Sequence, residues 1–72
     1  MELRSQVGEE MARVRKLKKL TQAELAQTVG VSQRTIAAIE GGTRRPSPDL
    51  AQKLGKELGF EWTRFYEDEE EN

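Results

Sequence analysis

Four consecutive polar residues, Ser32 to Thr35, interrupt a stretch of small and aliphatic side chains near the middle of the chain. Gln33 offers two N–H donors and a carbonyl acceptor, and Arg34 offers five N–H donors in a planar fork. The chain contains no His and no Cys that could activate a hydroxyl group or act as a nucleophile. The chemistry available here is therefore recognition of hydrogen-bonding edges and anions.

Composition sets narrow limits on function. Seventy-two residues form one small domain, near the size at which a single core can hold a fold without disulfides or metals. Without thiolates or imidazoles, the sequence predicts no catalytic residue, no metal site and no cofactor. The chain is therefore expected to be a binding protein and not an enzyme.

Charge is distributed unevenly along the chain. Residues 1–66 carry all twelve Lys and Arg against eight Asp and Glu, whereas residues 67–72 carry five acids and no base. We predict a basic domain over residues 1–66 and an acidic, disordered tail over 67–72. The tail is either a solvated end or a segment that competes electrostatically with phosphate.

The spacing around Gly30 predicts two short helices joined by a tight turn. Thr21 and Glu24 form a capping-box pattern that starts a helix at about Gln22. Gly30 supplies the left-handed backbone that ends this helix. Ser32 is a second N-cap, and the next helix runs until Gly41. The positions expected to face outward or sideways on this second helix are Gln33, Arg34, Thr35, Ala37 and Ala38.

Further helices are predicted on both sides of this pair. A first helix over about Gln6–Lys18 follows a loose lead-in, Met1–Ser5, and its exposed side carries a basic cluster. Ser47 caps a fourth helix with Leu50, Leu54 and Leu58 turned inward, in which Gly55 indicates close packing. A fifth helix covers about Glu61–Tyr66. The basic cluster of the first helix comprises Arg13, Arg15, Lys16, Lys18 and Lys19.

Every aromatic side chain of the protein lies in one short segment after Gly59. Two interpretations stay open for these rings. They close the core of the domain, or some of them pair with a second copy of the chain and form a dimer interface. The residues concerned are Phe60, Trp62, Phe65 and Tyr66.

An exposed polar helix on a rigid frame fits the major groove of double-stranded DNA, where base edges display distinguishable donors and acceptors. Gln33 can pair with adenine, and Arg34 can pair with guanine or a phosphate. We assign base reading to Ser32, Gln33, Arg34, Thr35, Ala37 and Ala38. Phosphate binding is assigned to Thr21, Gln22, Thr43, Arg44 and Arg45.

The segment Leu20–Phe60 resembles the Cro/CI-type helix-turn-helix family of phage repressors and small bacterial regulators. The resemblance rests on the joint occurrence of Thr21-Gln22, Leu25-Ala26, Gly30-Val31-Ser32, Ile39-Glu40, Gly42 and Pro46-Ser47. It implies an all-α, five-helix, lambda-repressor-like domain with the helix-turn-helix at helices 2 and 3. It also implies a dimer on a near-palindromic operator.

Further residue roles follow from the resemblance. Gln22 resembles a phosphate-binding glutamine of the family, and Arg15 and Glu40 match a pair that forms an internal ion pair in several members. Ala37 and Ala38 depart from members with long polar side chains at these positions, so specificity is expected to depend partly on DNA shape. Lys19 stands where the family often has Gly.

The predicted function is sequence-specific DNA binding by a homodimeric, cytoplasmic transcriptional regulator, most simply a repressor. The alternative is a protein-interaction module, such as an antitoxin that masks a protein partner and also binds its own promoter. The longest apolar runs are only a few residues, so no membrane association is expected.

Overall fold

Four α-helices and a closing 3-10 helix make up the computed structural model, which describes the backbone of residues 3–70 and the side chains of residues 6–66. No β-strand occurs within residues 3–70. The predicted all-α class is confirmed, and the predicted fifth helix is present as a 3-10 helix, so the structure has four α-helices and not five within residues 3–70. The closing 3-10 helix extends to Glu70, so the backbone of residues 67–70 is helical where the sequence predicts a disordered tail; the side chains of that tail lie outside the described ones.

Helix α1 spans Leu3–Leu17 and begins earlier than the sequence predicts. Leu3, Arg4 and Ser5 continue the helix, so the expected loose lead-in is wrong for these three residues. Val7 and Met11 face the core, and Val14 is half-buried. Met1 and Glu2 lie outside the described residues.

Helices α2, Gln22–Val29, and α3, Gln33–Glu40, form the predicted pair. Thr21 and Glu24 make both hydrogen bonds of the capping box, and Gly30 turns the chain with φ of 81°. Leu25 and Ala26 are buried where α2 packs against α3. Local capping signals therefore set these helix bounds as predicted.

Helix α4 spans Pro48–Leu58 and is capped by Ser47. Leu54 is fully buried and Leu58 is nearly so. A Cβ atom added to Gly55 would lie 2.7 Å from the carbonyl oxygen of Phe60 and 3.0 Å from Cβ of Trp62. The chain after α4 thus folds back tightly against it, as the glycine within the helix indicated.

The last element, Trp62–Glu70, is a 3-10 helix and not an α-helix. With three residues per turn, a 3-10 helix places side chains at i and i+3 on the same side. Trp62 and Phe65 have this spacing, and both pack against the core formed by the four α-helices. Tertiary packing of the rings, which the local sequence pattern does not encode, accounts for the difference.

One core joins all five elements. Met11, Leu25, Ile36, Ile39 and Leu54 are its largest fully enclosed side chains. They come from four helices, so α3 is held from several sides by hydrophobic burial. Val14, Leu20 and Val31 pack around this core as half-buried neighbours.

Candidate nucleic-acid interface

Helix α3 is buried along one side and open along another. Ile36 has no exposed surface and Ile39 only 2%. Gln33, Arg34 and Ala37 are exposed, while Thr35 and Ala38 are half-buried. The two longest exposed polar side chains of the helix therefore lie in its first turn and are accessible to a ligand.

The N-terminus of α3 is closed by a hydroxyl pair. The Ser32 Oγ atom accepts a hydrogen bond from the Thr35 backbone N–H at 3.1 Å, and the two hydroxyl oxygens lie 3.0 Å apart. This cap uses part of the hydrogen-bonding capacity of both residues. Gln33 and Arg34 therefore have the larger capacity left for reading base edges.

The loop after α3 folds back along that helix. Gly42 adopts φ of 83°, which redirects the chain. The Thr43 hydroxyl donates a hydrogen bond to the Ala38 carbonyl at 3.3 Å. Arg44 donates from Nη1 to the Thr35 hydroxyl at 3.4 Å, so its guanidinium lies beside the exposed first turn of α3.

Arg45 is placed differently from its neighbour Arg44. It is half-buried, and its guanidinium carbon lies 5.7 Å from the centre of the Tyr66 ring, within cation–π range. The Tyr66 hydroxyl donates to the Pro46 carbonyl at 2.8 Å. Burial raises the pKa of Tyr66. The 3-10 helix thus fixes the base of the loop formed by residues 41–46, which we call the arginine loop.

The N-terminus of α2 carries two of the predicted phosphate-binding residues. Thr21 is exposed, but its hydroxyl accepts from the Glu24 N–H at 3.0 Å, and its own N–H donates to the Glu24 carboxylate at 2.8 Å. Gln22 is half-buried and donates from Nε2 to Oε1 of Glu40 at 3.0 Å. The structure therefore ties Gln22 to the end of α3.

Arg15 and Glu40 are in direct contact, as the family resemblance implied. Arg15 Nε lies 2.6 Å from one carboxylate oxygen of Glu40, and Nη2 lies 3.2 Å from the other. Both side chains are more than nine-tenths buried, and Arg15 Nη1 also donates to the Leu20 carbonyl at 2.7 Å. Arg15 is therefore a structural residue, unlike the rest of the basic cluster predicted on α1.

The remaining cations of that cluster are on the surface. Lys16, Lys18 and Lys19 surround the turn between α1 and α2, and Arg13 lies one turn earlier. Leu17, between them, is 75% exposed. This turn presents positive charge next to Thr21 and Gln22, which favours the approach of an anion.

The aromatic segment completes the core of the single chain. Phe65 is 4% exposed and meets Phe60 edge to face, with 5.4 Å between the ring centres. Trp62 and Tyr66 meet in the same manner at 6.1 Å. Phe60, Trp62 and Tyr66 stay half-buried, so the single chain does not fully enclose these three residues.

Two contacts at this site are absent from the sequence predictions. A Cβ atom on Gly8 would lie 2.4 Å from the Glu40 carbonyl oxygen, so α1 touches the end of α3 backbone to backbone. The Gln22–Glu40 hydrogen bond joins residues 18 positions apart. Neither contact has a local sequence signal, although a glycine within a predicted helix is a hint of close approach.

Comparison with known proteins gives the family. A family model described as helix-turn-helix matches residues 11–65, which is more than half of the chain and contains α2, α3 and α4 completely. The chain belongs to the Cro/CI-type helix-turn-helix family. The resemblance inferred from the sequence is thereby confirmed.

Several relatives of this helix-turn-helix protein carry a regulator's name. It is 43% identical over 51 residues to the uncharacterised HTH-type transcriptional regulator YqaF of Bacillus subtilis, covering 71% of this chain and 67% of YqaF. It is 48% identical over 58 residues to one from Methanocaldococcus jannaschii, covering 78% and 88% of the two chains. It is 37% identical over 59 residues to y4dJ of Sinorhizobium fredii, covering 82% and 77%.

Membership of this family assigns the protein to a class of DNA-binding regulators that are generally not enzymes. The helix-turn-helix is the unit that such proteins use to enter the major groove. Among the residues that the structure describes, no helix is both long and apolar enough to cross a lipid bilayer.

Proposed function

We propose that this helix-turn-helix protein recognises a specific double-stranded DNA sequence with α3 and represses transcription by occupying promoter DNA. The observation that carries the proposal is the accessibility of Gln33 and Arg34 on a helix whose Ile36 is completely buried. Because the helix is fixed by its core side, the two polar side chains project from a rigid support. The site of action is then the cytoplasm, where promoter DNA is accessible.

Base recognition is assigned to the first turn of α3. Gln33 can form two hydrogen bonds with an adenine, and Arg34 can form two with a guanine. Ala37 is exposed and small enough to admit a thymine methyl group, whereas Ala38 is half-buried, and its carbonyl accepts a hydrogen bond from Thr43. Readout is therefore concentrated at two or three base pairs per half-site, and DNA shape supplies the remaining specificity.

Phosphate contacts are assigned to two segments close to α3: the N-terminus of α2 and the loop that follows α3. Arg44 lies beside Thr35, which is in the same turn of α3 as the proposed base-reading residues. Gln22, Thr21 and Thr43 lie at helix ends or in the arginine loop. Arg45 contacts Tyr66 at the base of that loop, and we assign it a supporting role there together with a contribution of positive charge toward phosphate.

A homodimer on a near-palindromic operator is the proposed binding form. Phe65 is buried within one chain and is not available for pairing. The half-buried Trp62, with Phe60 and Tyr66 around it, is the part of the aromatic segment that favours contact with a second copy. A dimer would double the number of base pairs that a single α3 reads.

Selection of bound duplexes from a random DNA pool tests the proposal. We expect recovery of a two-fold symmetric site whose half-sites lie about one or more helical turns apart, near 34–36 Å per turn. Recovery of no preferred site, with only salt-sensitive binding to all duplexes, would contradict sequence-specific regulation. Capture of a stable heterologous protein in that case would favour an antitoxin-like module.

Arg34→Ala then tests the assignment of base reading. Loss of one two-hydrogen-bond contact should weaken binding to the selected duplex by about 1–3 kcal/mol and reduce discrimination against a scrambled duplex. Arg44→Ala is a charge-matched control that should weaken binding to both duplexes alike and flatten the salt slope by about one unit. Unchanged discrimination by Arg34→Ala would remove Arg34 from the readout.

A further inference from the structure

The carboxylate of Glu40 joins two side chains from different helices. It accepts hydrogen bonds from Arg15 at 2.6 and 3.2 Å and from the Gln22 carboxamide at 3.0 Å. Arg15 is itself anchored on the Leu20 carbonyl at 2.7 Å. Arg15 therefore fixes the position of the Glu40 carboxylate independently of Gln22.

This contact determines which way the Gln22 carboxamide points. A carboxylate only accepts hydrogen bonds, so it selects the orientation in which the Gln22 nitrogen, and not the oxygen, faces Glu40. The Nε2 group carries two hydrogens, and Glu40 accepts one of them. Among the residues that the structure describes, the second N–H has no acceptor, so it can donate to another one.

We propose that Glu40 is a positioning residue that orients Gln22 for a DNA phosphate. The proposal rests on the proposed function, because it requires Gln22 to contact phosphate. A phosphate oxygen also only accepts hydrogen bonds, so it attracts the N–H side of a carboxamide and repels the carbonyl oxygen. Without the Glu40 carboxylate the carboxamide can rotate by half a turn and present the wrong atom.

Two features make this arrangement more than a helix-to-helix link. Arg15 already satisfies both oxygens of Glu40, so the ion pair does not require Gln22 for its own geometry. Gln22 is half-buried while its carboxamide contacts the Glu40 carboxylate, so the residue lies at the boundary between the buried ion pair and the surface. The same glutamine thus connects the end of the recognition helix to the predicted phosphate contact.

A double-mutant cycle on DNA binding tests the proposal, with each protein assayed where circular dichroism shows it folded. Glu40→Gln and Gln22→Ala should each weaken binding to selected and scrambled duplexes alike, by about three- to tenfold. In the Gln22→Ala background, Glu40→Gln should cause no further loss. Gln27→Ala, which removes an exposed glutamine from the same helix, should leave affinity unchanged.

A further loss of the same size from Glu40→Gln in the Gln22→Ala background would overturn the proposal, because Glu40 would then act through the fold alone. Unchanged affinity for both single variants, alongside reduced discrimination by Arg34→Ala, would also overturn it while leaving the proposed function standing. Absence of any site preference in the unmodified protein would instead remove the proposed function and this inference together.

A second measurement covers the case in which Glu40→Gln does not fold. In the unmodified protein, the Gln22 side-chain amide protons are followed by NMR during addition of the selected duplex. We expect the two Gln22 protons to be more widely separated in shift than those of Gln27, and one of them to move on binding. Gln22 signals that match those of Gln27 and do not respond to DNA would overturn the proposal.

Discussion

The two sides of α3 have opposite environments, because one is fixed by contacts with the rest of the domain and the other is exposed. On its buried side, Ile36 is enclosed by the core, and Glu40 is tied to Arg15 and to Gln22. On its open side, Gln33 and Arg34 are exposed beside Arg44. Anchoring and the proposed base reading therefore involve different residues of one eight-residue helix, so stability and discrimination between DNA sequences should respond to different substitutions.

Arg15→Ala is the substitution with the largest expected effect on the anchored side of α3. The substitution leaves the Glu40 carboxylate, 7% exposed, without its charged partner, and we expect a loss of unfolding free energy of about 3–5 kcal/mol. Urea unfolding followed by circular dichroism measures it. Arg13→Ala, on the exposed side of the same helix, should change stability by less than about 0.5 kcal/mol. Equal losses in the two variants would contradict an anchoring role for Arg15.

Gly8→Ala tests the anchoring of α3 through its backbone. The added Cβ would lie 2.4 Å from the Glu40 carbonyl and 2.6 Å from that of Ile39, so α1 must move away from α3. We expect a destabilisation of about 1–3 kcal/mol from this overpacking. In an unhindered helix interior the same substitution stabilises by about 1 kcal/mol. The sign of the change in stability therefore shows whether Gly8 lies in close contact with α3. A more stable Gly8→Ala variant would contradict the close approach.

The contrast also explains which features the sequence alone could predict. The bounds of α2, α3 and α4 depend on Thr21, Ser32 and Ser47 as caps, and these signals are local, so the predictions were confirmed. The 3-10 form of the last element depends on how Trp62 and Phe65 pack against the other helices. That packing is set by the tertiary fold, so no local pattern encodes it.

The candidate site likewise contains one feature that the local sequence predicts and one that depends on the tertiary fold. The polar first turn of α3 is visible in the sequence because Ser32 places it directly after a cap. The hydrogen bond from Gln22 to Glu40 depends on the crossing of α2 and the end of α3, which residue types do not specify. The sequence therefore predicts a phosphate contact for Gln22 but not its hydrogen bond to Glu40.

Lys19→Gly sharpens the contrast at the turn before the helix pair. Lys19 has φ of 62° and is the one non-glycine residue with positive φ within residues 3–70. The left-handed backbone costs a side-chain-bearing residue about 1–2 kcal/mol, which the extra flexibility of unfolded glycine partly offsets. We expect a net gain of about 0.5–1 kcal/mol, seen as a higher Tm. Lys18 does not have positive φ, so the control variant Lys18→Gly should show no gain in stability. Equal gains in stability for the two variants would contradict the strain at Lys19.

The smallest expected effect concerns the ion pair between α1 and the 3-10 helix, away from α3. A hydrogen bond from Arg64, 2.6 Å from Glu10, lowers the pKa of the Glu10 carboxyl group. Because the lowered pKa belongs to the folded state, the stabilisation is present at neutral pH and is lost as pH falls through it. Both side chains are about one-third exposed, so the contribution is below about 1 kcal/mol.

Urea unfolding of the unmodified protein and of Glu10→Gln over a series of falling pH values measures this contribution. The stability difference between them should narrow as the solution becomes acidic. A constant difference at every pH would show that the carboxylate charge is not what stabilises the contact.

The most direct test of the central claim, that the open side of α3 is the DNA-reading surface, is an NMR titration of the protein's backbone amides with its selected duplex. The largest shift changes are predicted for Ser32–Thr35, with smaller ones at Thr21–Gln22 and Thr43–Arg45. Changes concentrated instead on the exposed residues of α4 and around Trp62, with Ser32–Thr35 unaffected, would contradict the claim.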